Sequence, residues 1–300
     1  MFGQKLQNKP EIGIVVNERG ISVVSMENGS EKMQLQHFDG DDWPGIKLWL
    51  QEIKPKNNLV HLVLDNKQYH LHQTEPPKVP IHELNQALLY SLRDRLEFPI
   101  AEMQIDHFNF PKDARRGGEH KVNVVTSHTP ELKVIINGME TSGLQPAVID
   151  IAELAIGNIL TDRESMHKGI CFLAYQEKYV TFVIYRNSEL YLSRSVMINS
   201  WDECVNPDSD FAKESLLLEI QRTFDYYQSQ LVQPPVAELL IPDWGDPLAP
   251  LIDYLSNNLQ MEVNPISFRE ECQQATSNLA LRQLMIASSA LKKETDNAEG

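Results

Sequence analysis

From Ile12 onward the chain is written in short β-branched runs. IGIVV, GISVVSM and KMQLQHF follow one another, broken by polar residues 17–20 and by Asn28-Gly29, a pair that accepts the left-handed angles of a tight hairpin. Three antiparallel strands are predicted. Residues 43–53 fit a helix and NLVHLVLD (58–65) the strand that follows it. The pattern then changes. After a polar strand and the stretch PPKVP, Leu84, Leu88, Leu92 and Leu96 recur every four residues, which predicts an amphipathic helix over 82–97 that stops before Pro99. MQIDHFNF and VNVVTSH alternate as strands on either side of the polar loop KDARRGGEH. Leu132, Ile135, Ile136 and Met139 mark a further helix, capped by Gly143. VIDIAELAIGNIL (148–160) reads as an apolar helix and TDRESMHKG as a charged connector.

The second half opens on the same plan. ICFLA, YVTFVIY and LYLSRSV predict three strands, with a hairpin at Asn187-Ser188, and an offset of 159 pairs Ile14 with Leu173, Val15 with Ala174, Ile21 with Val180 and Asn28 with Asn187. Residues 211–230 then place Leu216, Ile220, Phe224 and Tyr227 on one helical stripe. VAELLIP, the turn DWGDP, PLIDYLSNNL, MEVNPI and LALRQLMIASSAL predict strand, turn, helix, strand and helix. The last ten residues carry no core pattern.

Composition narrows the function classes. A chain of 300 residues with 42% hydrophobic content can fill two cores. The formal charge of -15, with 27 basic against 42 acidic residues, opposes attachment to nucleic acid or anionic lipid. Cys171, Cys204 and Cys272 form no CxxC or Cys/His pattern, as expected in a reducing compartment. No signal-peptide pattern and no run of about eighteen apolar residues is present, so a cytoplasmic location is expected, with any membrane attachment supplied by a partner.

Several phrases in order carry a resemblance: residues 80–106 (PIHELNQALLYSLRDRLEFPIAEMQID), SGLQPAVIDIAELAIGNIL (142–160), LLLEIQRTFDYYQSQL (216–231) and LIDYLSNNLQMEVNPI. Across residues 10–290 the chain resembles the PilM-like proteins of type IV pilus assembly. That resemblance implies an actin-like (ribonuclease H-like) two-lobed α/β fold, similar to the cell-division protein FtsA, with an inserted βαββα subdomain. The first lobe would take 10–66 and 148–166, the insert 67–147, the second lobe 167–290, and 291–300 a disordered tail. It also implies a partner: the short cytoplasmic tail of a PilN-like inner-membrane protein, docked beside the insert.

ATP-binding members of this family carry a first loop similar to GIDIGSSSVK and a second similar to DIGA. Glycine amides there approach the phosphates, and an Asp positions metal-bound water. Here the matching stretches are GIVVNERGIS and AYQE. Val15 and Ala174 stand at the Asp positions, and Asn17 and Gln176 at the glycines. The adenosine-cradling GG turn is matched by PDWGDP, where Gly245 remains between Asp243 and Asp246. A degenerate site is expected, with no catalytic residue, cofactor or metal. A weak ATPase using Asn17, Glu18, Gln176 and Glu177 is the alternative, and self-association into filaments stays open.

His61, His70 and His72 lack the Cys or paired carboxylates of a metal site, Asp39, Asp41 and Asp42 lack the Glu of a calcium loop, and GxSxG, GxxxxGK[ST] and GxGxxG are absent. For the partner surface, Asn85 and Arg93 on the exposed face of the 82–97 helix are the candidates.

Overall fold

A computed structural model of the chain describes residues 9–26, 33–114, 120–176, 178–198, 200–243, 245–267 and 278–291. Two compact units emerge, each assembled from separate stretches: Met1–Phe110, Glu119–Ala155 and Gln283–Gly300 in the first, Pro111–Gly118 and Ile156–Arg282 in the second.

The first unit opens with β1 (Ile12–Asn17), β2 (Gly20–Met26) and β3 (Met33–Asp39), antiparallel neighbours as the alternation predicts. The Asn28-Gly29 hairpin signal lies outside the described residues. Next come α1 (Trp43–Ile53) and β4 (Leu59–Leu64), which runs parallel beside β1. α1 starts where Asp42 accepts from the Gly45 N–H at 2.9 Å, with Pro44 in a first turn that needs no amide donor. β1 is buried on both faces, which explains its unbroken apolar run. Gly13 within it is required by close approach, because a Cβ there would lie 2.1 Å from the Ala287 carbonyl oxygen of the chain's last helix.

Four elements follow from an insert: β5 (Tyr69–Thr74), α2 (Leu84–Ser91), β6 (Met103–Asn109) and β7 (Val122–His128), with the strands ordered β5-β7-β6. One face of this sheet places Met103, Ile105, Val122 and Val124 under Leu84, Leu88, Leu89 and Leu92. The other sends Tyr69, Leu71, Phe108 and Val125 into the core of β1, β2 and β4. α3 (Thr129–Thr141), read from sequence with the insert, puts Ile135 and Met139 into that same main core beside Ile46. Ser142 Oγ donates to the Trp43 carbonyl at 2.9 Å, tying the end of α3 to α1.

Two helices depart from the sequence pattern. The helix predicted over 82–97 is α-helical only over Leu84–Ser91, flanked by 3-10 turns at Ile81–Glu83 and Arg93–Arg95. Ser91 Oγ takes the Leu88 carbonyl at 2.7 Å, competing with the helical ladder, and the approach to Pro99 ends the run. The helix predicted over 148–160 begins only at residue 152. Residues before it form β8 (Gln145–Ile151), parallel to β4, and α4 (Ala152–Leu160) follows. A short apolar run reads as either element, and pairing with β4 decides it here. The first sheet is therefore ordered β3-β2-β1-β4-β8.

The second unit repeats the order. β9 (Ile170–Gln176), β10 (Tyr179–Arg186) and β11 (Glu189–Met197) lead through α5 (Trp201–Val205) and α6 (Asp210–Ser229) to β12 (Glu238–Asp243). Then come α7 (Ala249–Leu259), β13 (Glu262–Ser267) and α8 (Asn278–Leu291), whose residues from 283 belong to the first unit. Its sheet is β11-β10-β9-β12-β13. Asn187 and Ser188 turn the predicted hairpin with φ of 50° and 61°. The 159-residue offset holds in the backbone register: Asn17 faces Gly20 as Gln176 faces Tyr179, and Val15 faces Ser22 as Ala174 faces Thr181. Cys171 and Cys204 are buried free thiols, and Cys272 lies outside the described residues.

Candidate functional site

In open α/β sheets the ligand end is the carboxyl end of the parallel strands, and each unit has one such end. In the first, β1 and β4 finish side by side and deliver the turn at residues 17–20 next to Asp65. Val15 is buried at 1% exposure, an apolar side chain that offers no ligand to water or metal. Asn17 Oδ1 accepts from the Arg19 N–H at 2.9 Å and the Gly20 N–H at 3.2 Å, while its Nδ2 donates to Asp65 at 3.4 Å. The Arg19 and Gly20 amides of the turn are thus bonded to the turn's own side chain. Asp65 is itself buried and accepts from the Asn66 N–H. Glu18 stands exposed and pairs with Lys67 at 3.0 Å.

The second unit builds the corresponding end differently. Ala174 is buried within β9, facing Thr181. Gln176 closes the β9–β10 turn against Tyr179, and Glu177 lies outside the described residues. Between Ala174 and that turn, Tyr175 stacks on Trp201 with ring centroids 3.6 Å apart and donates its hydroxyl to Asp246. Burial, then the Asp246 carboxylate, pushes the Tyr175 hydroxyl far above its ordinary pKa, so it stays a donor. Gly245 has φ of 108°, which a side chain would resist, and its N–H donates to Asp243 Oδ1 at 2.7 Å. Here too an Asx side chain occupies a loop amide, and two carboxylates surround it.

The remaining candidates separate. Asn85 is half-buried and accepts from His107 Nδ1 at 2.6 Å, whereas Arg93 is exposed and pairs with its neighbour Asp94 at 3.2 Å. His61 pairs with Asp150 at 3.2 Å between β4 and β8, away from the β5 residues His70 and His72, whose rings lie 6.1 Å apart. Among the described residues no group of three or more His, Cys, Asp and Glu is arranged to hold a metal ion, and no helix is long and apolar enough to cross a membrane. Sequence reasoning missed Asp65, Tyr175 and Trp201. Asp65 could have been found as the polar residue ending an apolar strand, while the Tyr175–Trp201 stack joins residues that no local pattern connects.

No protein-family model matches the chain, and no curated protein matches it in sequence. Solved structures do match in shape. A PilM-PilN type IV pilus biogenesis complex contains a chain that aligns with a TM-score of 0.66 at 18% identity, covering 94% of this chain and 98% of its own. The cytoplasmic domain of EpsL, an inner membrane component of the type II secretion system of Vibrio cholerae, aligns at 0.54 and 12% identity, covering 96% and 98%. Together with the repeated β3-β2-β1-β4-β8 and β11-β10-β9-β12-β13 sheets, the likeness identifies an actin-like α/β fold.

Proposed function

We propose that this chain is a PilM-like adaptor, of the MshI type that serves the mannose-sensitive haemagglutinin pilus, acting by binding rather than by catalysis. On this reading it sits on the cytoplasmic side of a type IV pilus platform, peripheral to the inner membrane. It holds the N-terminal tail of a PilN-like protein and needs no nucleotide. The observation that carries the reading is the occupancy of the loop amides: Asn17 takes those of Arg19 and Gly20, and Asp243 takes that of Gly245. A phosphate at the first unit's turn would have to displace Asn17 beside Glu18, and one at the second unit's turn would have to displace Asp243 beside Asp246, carboxylates that repel it. Loss of the carboxylates at Val15 and Ala174 supports the same conclusion, because neither side chain can orient a metal-bound water. The shape shared with the chain of a PilM-PilN complex supports the choice of partner.

Two measurements test it. Titration calorimetry with ATP and magnesium is expected to give no heat of binding. Micromolar affinity would revive the weak ATPase. A synthetic PilN-like cytoplasmic tail is expected to retain the purified chain on a resin, and retention no greater than that of a scrambled tail would remove the adaptor reading.

A further inference from the structure

α6 buries Leu216, Leu217, Ile220, Phe224 and Tyr227, the stripe expected of a helix packed on a sheet. Its outward face is not simply polar. Phe211 is 71% exposed, Leu218 50% and Tyr226 44%. Successive helical residues turn by about 100° and rise about 1.5 Å, so these three side chains lie within an arc of about 80°, spaced roughly 10 and 12 Å along the axis. Single exposed apolar residues need no explanation, but an aligned row does. Exposed Asp210, Glu214 and Asp225 lie along the same surface. Arg222, which falls between Leu218 and Tyr226, is already bonded to Glu219.

The surrounding charge is one-sided. Over residues 201–267 the sequence has 12 Asp and Glu against 2 Lys and Arg, a balance of -10 within the chain's -15. Of the two cations, Lys213 is buried with its ammonium on the Pro207 carbonyl at 2.6 Å and 3.6 Å from Asp210 Oδ1, which leaves Arg222 as the exposed one.

We propose that the outward face of α6 binds a cationic amphipathic segment of another protein. The Lys and Arg side chains of that segment lie against Glu214 and Asp225, and its apolar residues cover Phe211, Leu218 and Tyr226. The charge selects this occupant. A second copy of the chain would bring acidic residues against acidic residues, and anionic lipid is repelled for the same reason. A basic segment without apolar residues would leave the row exposed to water. The inference concerns the second unit alone and does not rest on the pilus reading: failure of a PilN-like tail to bind leaves it standing, and its own failure leaves that reading standing.

The test uses the full-length chain with the photo-crosslinking residue benzoylphenylalanine in place of Leu218, irradiated in the cells that make it. A second protein with the same group in place of exposed Leu48 of the first unit gives the background. The expected adduct is a segment of another protein with net positive charge. Its synthetic peptide should bind the purified chain, weaken by about tenfold with Leu218→Ser, and weaken comparably when salt is raised enough to shorten the screening length to a few ångströms. Glu214→Gln is the second variant should Leu218→Ser not fold, with a severalfold loss expected. An adduct with a second copy, with the chain's own residues, with lipid or with a neutral or acidic segment would overturn the proposal. So would no adduct above the Leu48 background, or a peptide whose affinity ignores the variants.

Discussion

Arg163→Ala gives a stability loss whose size can be worked from the second unit. Glu238 opens β12 at 4% exposure and accepts from Arg163 Nη2 at 2.7 Å and Nε at 3.3 Å, from Ser165 Oγ, and from Asn264 Nδ2 at 2.9 Å. Truncating Arg163 removes two of four donors and leaves a buried carboxylate. Removing one partner of a fully buried pair costs about 3–5 kcal/mol. The Arg163 side chain is 33% exposed, so water screens part of the attraction, and two donors remain. A loss of about 2 kcal/mol follows, or roughly 4–8 °C in Tm for a protein of this size. The pH dependence fixes the sign. Burial raises the Glu238 pKa, but the bonds from Arg163, Ser165 and Asn264 outweigh it and hold the carboxyl below the ordinary range. A depressed carboxylate contributes stability above its unfolded pKa and loses it as pH falls through its folded one. The gap between wild type and variant should therefore be full near pH 7 and shrink as pH falls below the ordinary carboxylate range and through the folded value. Calorimetry measures it, and hydrogen exchange in β9, β12 and β13 reports on the second unit alone. Equal melting near neutrality, or a gap that ignores acid, would refute the reasoning.

Asn17→Ala should speed hydrogen exchange at the Arg19 and Gly20 amides by about fivefold, corresponding to about 1 kcal/mol of hydrogen bonding, without creating ATP binding; unchanged exchange would remove the self-capping account. His72, drawn down to about 4 by burial, then by Arg95 and His70, should titrate by NMR well below the usual histidine midpoint. Because its folded pKa is depressed, its contribution to stability is present above the unfolded value of about 6.5 and lost as pH falls toward 4. A midpoint near 6.5 would contradict that. Gly13→Ala must push back a backbone carbonyl at 2.1 Å, so a loss of about 2 kcal/mol or more is expected in a thermal melt, and an unchanged melt would show that α8 gives way freely.

The repeat was legible because turn residues and strand lengths recur at a fixed offset, and the backbone register keeps that offset through β1–β2 and β9–β10. α6 was legible because a 20-residue helix shows several turns of periodicity. β8 was not: its seven residues run straight into α4, and only the parallel partner β4 distinguishes strand from helix. Likewise the leucine repeat through Leu96 is genuine, yet Ser91 and the approach to Pro99 break the helix that it predicts. At the candidate site, the family resemblance pointed to Val15, Asn17, Ala174, Gln176 and Gly245. Local patterns did not reveal what their neighbours do. Asn17 meets Asp65 across 48 residues and Tyr175 meets Asp246 across 71, and such pairings depend on which strands lie side by side.

Neither unit is a continuous stretch of chain. The first includes Gln283–Gly300, and Ala287 from that stretch presses against Gly13. During synthesis the surface of β1 at Gly13 therefore stays uncovered until α8 has been made, by which time every segment of the second unit has already been made. Folding in order of translation would complete the later-encoded unit first, and a ribosome stalled before codon 283 would hold an amino-terminal sheet still open over Gly13.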